Sequence, residues 1–359
     1  MRMTVAVIRH VLPTATGFAA RQAIAALRKR DIAVDLLLRR AGLSEQDVDS
    51  PKRRISAAAQ SKFLEHAAEA LGDSAFGLHL AEQANPREAG LLFYVASAAD
   101  TVGDGLEFYA RCCRVVNEAV QVNLLRDREG VVVEFEFVGI ARHQACQTAE
   151  FVLAITVKAM RELVGRDVHP TRVAFAHARH SDPQELKRFF NCAVEYGASS
   201  DQGSFSNGTL ALPLITRDPH LLEALHLICD EAAKERNTPK ATVRALVENE
   251  AQKLLPQGKA SRQTVASALG MSERTLARKL AEEGTTYEQV LDQLRLSLAL
   301  QYIKDRGISL SQIAWLLGYG ESTSFSHAFT RWTGSSPSAA RNDKQLPGPG
   351  RTARRTRQR

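Results

Sequence analysis

Apolar side chains in the first hundred or so residues recur every three or four positions. The stretches LLLRRAGL (36–43), SKFLEHAAEALG (61–72) and GDGLEFYARCCRVV (103–116) each suit a helix with one buried face. The period changes at AVQVNLLRDREGVVVEFEFVG (119–139), where Asp127 to Gly130 separate two β-branched runs. Val131, Val133, Phe135 and Phe137 alternate there onto one face, which predicts a hairpin. A helix follows over CQTAEFVLAITVKAMRELVG (146–165), then a strand at TRVAFAHA (171–178). DPQELKRFF (182–190) reads as a helix opened by Pro183 and capped by Asp182. Helices and strands in this order predict an α+β N-terminal domain.

KERNTPK (234–240) combines charge, Asn and Pro with no apolar anchor, which predicts a linker there. The domains expected are 1–233, a linker over 234–240, and a helical domain over 241–341. In ATVRALVENEAQKLL, Val243, Leu246, Val247, Leu254 and Leu255 supply a buried face that stops at Pro256 and Gly258.

A short pattern then occurs twice. VASALGMSERTLARKL (265–280) aligns with IAWLLGYGESTSFSHAF (313–329), pairing Val265 with Ile313, Ala266 with Ala314, Leu269 with Leu317 and Gly270 with Gly318 at one constant offset. Beyond the glycine the offset grows, pairing Leu276 with Phe325, Leu280 with Phe329 and Gly284 with Gly334. A small residue for a close crossing, a glycine suited to a helix C-terminus, Ser272 as the next N-cap, and apolar anchors on a second helix describe a helix-turn-helix. The helix between the copies, TYEQVLDQLRLSLALQYIKDRG, is expected from about 286 to 305. It would be roughly 30 Å long, near the roughly 34 Å repeat of B-DNA. Leu291, Leu294, Leu298 and Ile303 read as its core face.

The formal charge of +7 is unevenly placed. Residues 1–240 hold 29 basic and 30 acidic side chains, residues 241–340 hold 11 and 9, and residues 341–359 hold 7 and 1, so the excess lies at the C-terminus. The tail over 342–359, with scarcely an apolar residue, is expected to be disordered, either solvated or binding phosphates nonspecifically. Five cysteines, with no C-x-x-C pair, suit reduced thiols and a cytoplasmic protein. No apolar run approaches the roughly 18 residues of a spanning helix, so no membrane partner is expected.

Residues 241–341 resemble the DNA-binding module of the AraC/XylS family of bacterial transcription regulators. The resemblance rests on ALGMSERTLARKLAEEGTTY, LRLSLALQYI and SLSQIAWLLGYGESTSFSHAFTRWTGSSPSAAR, including Arg295-Leu296, Ala299, Ile313-Ala314, Gly318-Tyr319, Gly334, Pro337 and Arg341. Through GDSAFGLHLAE, ADTVGDGLEFYARCCRVVN and LKRFFNCAVEYGASSDQGSFSNGTLALPL, residues 20–225 more loosely resemble the arabinose-binding-like domain of one subgroup. The resemblance implies an α+β effector or dimerisation domain followed by an all-α domain with two helix-turn-helix motifs joined by a long helix. It implies a sequence-specific regulator without catalytic residues, metal or cofactor. The implied partners are double-stranded operator DNA, a small-molecule effector, a second copy of the chain and, for an activator, RNA polymerase.

By motif position, the first recognition helix offers Glu273, Arg274, Ala277 and Arg278 to the groove, with Leu276 and Leu280 inward. Arg274 and Arg278 lie four apart on one face and suit guanine O6 and N7, or phosphate. The second helix offers Ser322, Thr323, Ser324 and His327, where the family commonly has arginine in place of His327, so weaker DNA contact is expected there. Arg331 is a candidate phosphate contact, and Trp332 is expected in the core.

Two other classes of function are weaker. A dimerisation-only N-terminal domain would make a ligand-independent DNA binder. A metal enzyme could be imagined on His169, His177 and His180, but their spacing fits neither H-E-x-x-H nor a Cys/His finger. The cysteines do not supply the ligand set of a zinc-dependent DNA-alkyl repair protein, and Cys112-Cys113 reads as buried thiols.

Overall fold

The computed structural model describes residues 12–50, 53–177, 183–236, 242–303 and 305–342. Asp182 as a helix cap, His180, residues 237–240 of the linker and the tail beyond Asn342 fall outside these residues. The chain divides into two compact units, Met1–Ala241 and Thr242–Arg359.

The first unit opens with helices α1 (Phe18–Arg28), α2 (Val34–Ala41), α3 (Ala57–Leu71), α4 (Phe76–Gln83), α5 (Leu91–Ser97) and α6 (Val102–Val116). Strands β1 (Val120–Arg126) and β2 (Gly130–Phe137) form the expected hairpin, with Val120 opposite Phe137 and Arg126 opposite Val131. Its turn is tied by Asp127, whose Oδ1 accepts from the backbone N–H of Glu129 at 2.8 Å and of Gly130 at 2.9 Å. Val131, Val133, Phe135 and Phe137 are all buried. Helix α7 (Cys146–Val164) then crosses the core, burying residues around most of its circumference.

Three further strands complete the sheet: β3 (Arg172–Phe175), β4 (Ala193–Tyr196) after helix α8 (Pro183–Phe190), and β5 (Asp201–Ser206). The order is β1-β2-β5-β3-β4, antiparallel throughout except for β3 and β4. A parallel pair requires a crossover, and α8 is that crossover. Strands β4 and β5 are not marked by the hydrophobic pattern. The inward positions of β5 are Asp201, Gly203 and Phe205, so only the phenylalanine gives an apolar signal. Helix α9 (Pro219–Lys234) closes the unit, packing Cys229 against Leu92, Val95 and Cys112.

The second unit is helical: α10 (Val243–Leu254), α11 (Arg262–Ala268), α12 (Glu273–Glu282), α13 (Tyr287–Tyr302), α14 (Leu310–Leu316), α15 (Ser322–Thr333) and α16 (Pro337–Asn342). Helix α13 starts with a capping box between Thr286 and Gln289 and buries Leu291, Leu294 and Leu298, with Ile303 buried just past its end. Its 16 residues end before the expected 305, which makes it about 24 Å long, shorter than the sequence implied. The polar run Asp305-Arg306-Gly307 has no apolar side chain to hold another turn against the core.

Candidate nucleic-acid interface

Both copies of the repeated pattern fold as helix, glycine turn, helix, on matching hydrogen bonds. Met271 N donates to Ala266 O at 2.8 Å, and Tyr319 N donates to Ala314 O at 2.9 Å. Gly270 (φ 65°) and Gly318 (φ 76°) both take the left-handed conformation that ends a helix. At Gly318 the constraint is double, because a Cβ there would lie 2.8 Å from the backbone oxygen of Leu255. Val265, Ala266, Ile313 and Ala314 are buried under the crossing.

In the first copy, the hydroxyl of Ser272 caps α12 by accepting from Thr275 N at 3.2 Å. Leu276 and Leu280 are fully buried, and burying each is worth about 1.5–3 kcal/mol. An exposed ion pair contributes about 0–1 kcal/mol, so these leucines, not surface charges, set which face of α12 points outward. That outward face carries Glu273, Arg274, Ala277 and Arg278, all exposed. Glu273 is held by Arg262 of α11 at 2.9 Å, and Arg262 also reaches Glu288 at 3.6 Å. Arg278 Nη1 donates to Glu282 Oε1 at 2.5 Å. Among the described residues Arg274 has no hydrogen-bond or ion-pair partner, so its guanidinium is the least committed group on the face.

In the second copy, Ser309 and Gln312 form a capping box on α14, whereas Glu321 at the start of α15 makes no side-chain cap. Phe325, Ala328 and Phe329 turn inward; Ser322, Thr323, Ser324, His327 and Arg331 are exposed. Thr323 donates to Glu321 at 3.1 Å, and Arg331 Nη2 lies 3.3 Å from Asp292 of α13. Arg331 also stands 6.0 Å from the ring centroid of Trp332, which is half-buried. This face is built from short hydroxyls, one imidazole and an arginine already shared with a carboxylate.

Side chains the sequence reading left without a task hold the two copies in place. Arg295 of α13 donates from Nε to Leu317 O at 3.1 Å and lies 4.8 Å from the ring centroid of Tyr319. Arg341 donates to Ile308 O at 2.7 Å. The carboxylate of Glu283, just past α12, accepts from Val243 N at 2.7 Å and Arg244 N at 3.0 Å, capping the start of α10. Trp315 on α14 is 60% exposed; its counterpart in the first copy is Ser267, so the alignment itself marks the position as outward-facing.

The histidines behave as strand-end residues. His169 is exposed, while His177, just after β3, is buried against Glu150. Cys112 and Cys113 are both buried, and Cys112 meets Cys229 of α9 rather than its neighbour. Among the described residues no group of three or more His, Cys, Asp or Glu side chains could hold a metal, and no helix is long and apolar enough to cross a membrane.

Residues 32–214 match the family described as the arabinose-binding domain of AraC transcription regulator, N-terminal, and residues 265–343 match a helix-turn-helix domain family. The ornithine utilization regulator of Pseudomonas aeruginosa is 30% identical over 297 residues, covering 81% of this chain and 85% of that protein. The HTH-type transcriptional regulator VirS of Mycobacterium tuberculosis is 28% identical over 292 residues, covering 79% and 83%. The crystal structure of the transcriptional regulator CdpR from Pseudomonas aeruginosa aligns with 91% of this chain and 98% of its own, at 22% identity and a TM-score of 0.46.

Proposed function

The chain belongs to the AraC family of transcriptional regulators, with an arabinose-binding-type N-terminal domain and a helix-turn-helix DNA-binding domain, and we propose that it reads operator DNA through the outward faces of α12 and α15 under control of a small-molecule effector. In this reading residues 1–233 form the effector and dimerisation domain, 234–240 the linker, 241–341 the DNA-binding domain and 342–359 a phosphate-binding arm. The protein acts in the cytoplasm, as a homodimer, and engages RNA polymerase where it activates.

The observation that carries the reading is the duplication itself. Two helices, α12 and α15, are each anchored by a pair of buried side chains, Leu276 with Leu280 and Phe325 with Phe329, and each leaves a polar face outward. A single such hairpin needs no partner beyond its own core. Two copies, one before and one after α13 in the chain, one of them with Arg274 and Arg278 on its face, suit two contacts with one duplex. The first copy supplies most of the base reading, because an arginine can give guanine two parallel hydrogen bonds, while the hydroxyls of α15 position the backbone.

The test is fluorescence anisotropy of the whole chain on labelled DNA from upstream of its own gene, titrated with salt. Phosphate neutralisation releases counterions, so affinity should fall on the order of a hundredfold or more between roughly 50 and 200 mM salt. Affinity unmoved by salt, or no DNA binding at all, would overturn the reading.

A further inference from the structure

The first unit holds a cavity of about 150 Å³, partly open to the surface, between α1, α5, α6 and α7. Its walls are almost entirely apolar: Phe18, Phe93, Leu106, Phe151 and Ile155 are representative, and among the described residues no Asp, Glu, Lys, Arg or His side chain lines it. Helix α7 contributes Val152, Ile155 and Ala159, one stripe along a single face, and each is incompletely buried because it faces this space.

Several of the polar groups in the wall are already committed. Thr148 shares a 2.6 Å hydrogen bond with Ser61, Thr156 donates to Val152 O at 2.7 Å, and Asn117 Oδ1 accepts from Ala119 N at 3.0 Å. Cys113 stays a neutral thiol, burial pushing its pKa up to about 12. Gln60 of α3 differs. Its side chain lines the cavity and is only 4% exposed, and its Oε1, tucked into the wall, has no hydrogen-bond partner among the described residues, so a turn of the side chain is what would present it to a ligand. A buried acceptor left unpaired is costly, and a ligand donor is the kind of group that removes the cost.

We propose that this cavity is the effector site, and that it takes a small, uncharged, predominantly apolar molecule, a ring or short chain, with one hydrogen-bond donor directed at Gln60 Oε1. The proposal rests on reading the N-terminal domain as a sensor. A dry apolar cavity of about this volume holds a benzene-sized molecule. A pentose brings a hydroxyl on nearly every carbon, and most of these would lose water without gaining a partner. A carboxylate or ammonium group would meet no counter-charge among the described lining residues. The wall chemistry therefore selects against sugars and ions and in favour of a phenol-like or alkanol-like molecule.

Size-matched probes separate these terms: p-cresol, toluene and p-toluate share one ring and differ in donor and charge, and L-arabinose represents the pentoses. Isothermal titration calorimetry on the full chain should show p-cresol binding and neither p-toluate nor L-arabinose binding. Gln60→Leu should weaken p-cresol about three- to tenfold, the size of one neutral hydrogen bond, and leave toluene unchanged or tighter. Ala159→Phe should abolish both by filling the space; Ala159→Leu, a smaller intrusion, should weaken both and guards against a misfolded phenylalanine variant. No binding of p-cresol or toluene, preferential binding of p-toluate or L-arabinose, or p-cresol affinity indifferent to Gln60→Leu would each overturn the proposal. DNA binding measured on the same samples keeps the two readings apart: DNA affinity without p-cresol binding sinks the ligand site alone, whereas p-cresol binding without DNA affinity supports the site and sinks the regulator reading.

Discussion

Arg278 Nη1 lies 2.5 Å from Glu282 Oε1, one turn along the same exposed face of α12. Arg274, one turn in the other direction, has no such partner among the described residues. Two arginines that look equivalent in sequence therefore start from different states. An exposed pair four residues apart on a helix is worth about 0.3–0.5 kcal/mol, so on the proposed reading DNA would displace Glu282 easily, but Arg278 would give up that pairing in doing so.

The expected ranking on operator DNA follows. Arg274→Ala should cost about 1–3 kcal/mol and relax base preference at one position, the size of a lost bidentate guanine contact. Arg278→Ala should cost somewhat less, and His327→Ala less again, since α15 offers mostly hydroxyls. Glu282→Ala should tighten binding to operator and scrambled DNA alike by removing a negative charge beside the groove face. Anisotropy titrations of the four variants on both DNAs decide it. If His327→Ala is the most damaging and the arginine variants are neutral, the assignment of roles to the two copies is wrong.

A second expectation concerns pH and the core of the first unit. His177 Nε2 is 3.2 Å from Glu150 Oε1, with both side chains almost fully buried. Burial alone would lower the histidine's pKa, but the hydrogen bond and charge of Glu150, with Asp201 and Glu65 beyond it, outweigh burial and raise it above its ordinary 6.5. A histidine that holds its proton more tightly when folded gives stability that is complete below about 6.5 and is lost as pH rises through the raised value. Asp201, whose own pKa is raised chiefly by burial, acts in the same sense but from its ordinary 3.8 upward.

The first unit should therefore melt at lower temperature as pH climbs above neutrality, and His177→Gln should flatten that dependence while leaving the change at acid pH. Each tenfold difference in proton affinity is worth ~1.4 kcal/mol, about 3 to 6 °C for a domain of this size. Both tryptophans, Trp315 and Trp332, lie in the second unit, so their fluorescence reports that unit while circular dichroism follows both. A first-unit melting temperature that rises with pH, or the same slope in His177→Gln, would contradict this account.

The features legible in the sequence were those written in local periodicity. Leu291, Leu294 and Leu298 mark the buried face of α13 because solvent lies on the other side, and the β1–β2 hairpin follows from alternation around Asp127. Gly270 and Gly318 could be placed because a left-handed helix end demands a particular residue. What stayed hidden depends on partners far apart in the chain. Nothing near Glu283 announces that it caps α10 forty residues upstream, or near Asp292 that it reaches Arg331. The cavity is invisible for a different reason: Phe151 and Ile155 look the same in sequence whether they pack against a neighbour or face a void.

The last expectation starts from helix α9, which is apolar on two sides. Its inner side, Leu222, Leu225 and Cys229, packs on α5 and α6. Its outer side exposes Leu221, Ala224, Leu227 and Ile228, with Ile215 exposed just before the helix. Leu221, Ala224 and Ile228 follow the three- and four-residue steps of a helical stripe, and an outward stripe of this kind marks a contact surface. A twofold interface needs only one such patch, because each copy offers the same surface to the other. A few side chains bury less than a standard interface, so the dimer should be modest, with a dissociation constant on the order of micromolar. Leu227→Asp and Ile228→Asp place a charge on the exposed apolar side without touching the inner face. Each should leave the circular dichroism spectrum unchanged, convert the protein to a monomer by sedimentation, and weaken binding to a two-site operator by about tenfold or more through lost avidity, while affinity for a single site stays the same. A folded variant that remains dimeric would assign dimerisation to another surface and leave the exposed face of α9 to a different partner.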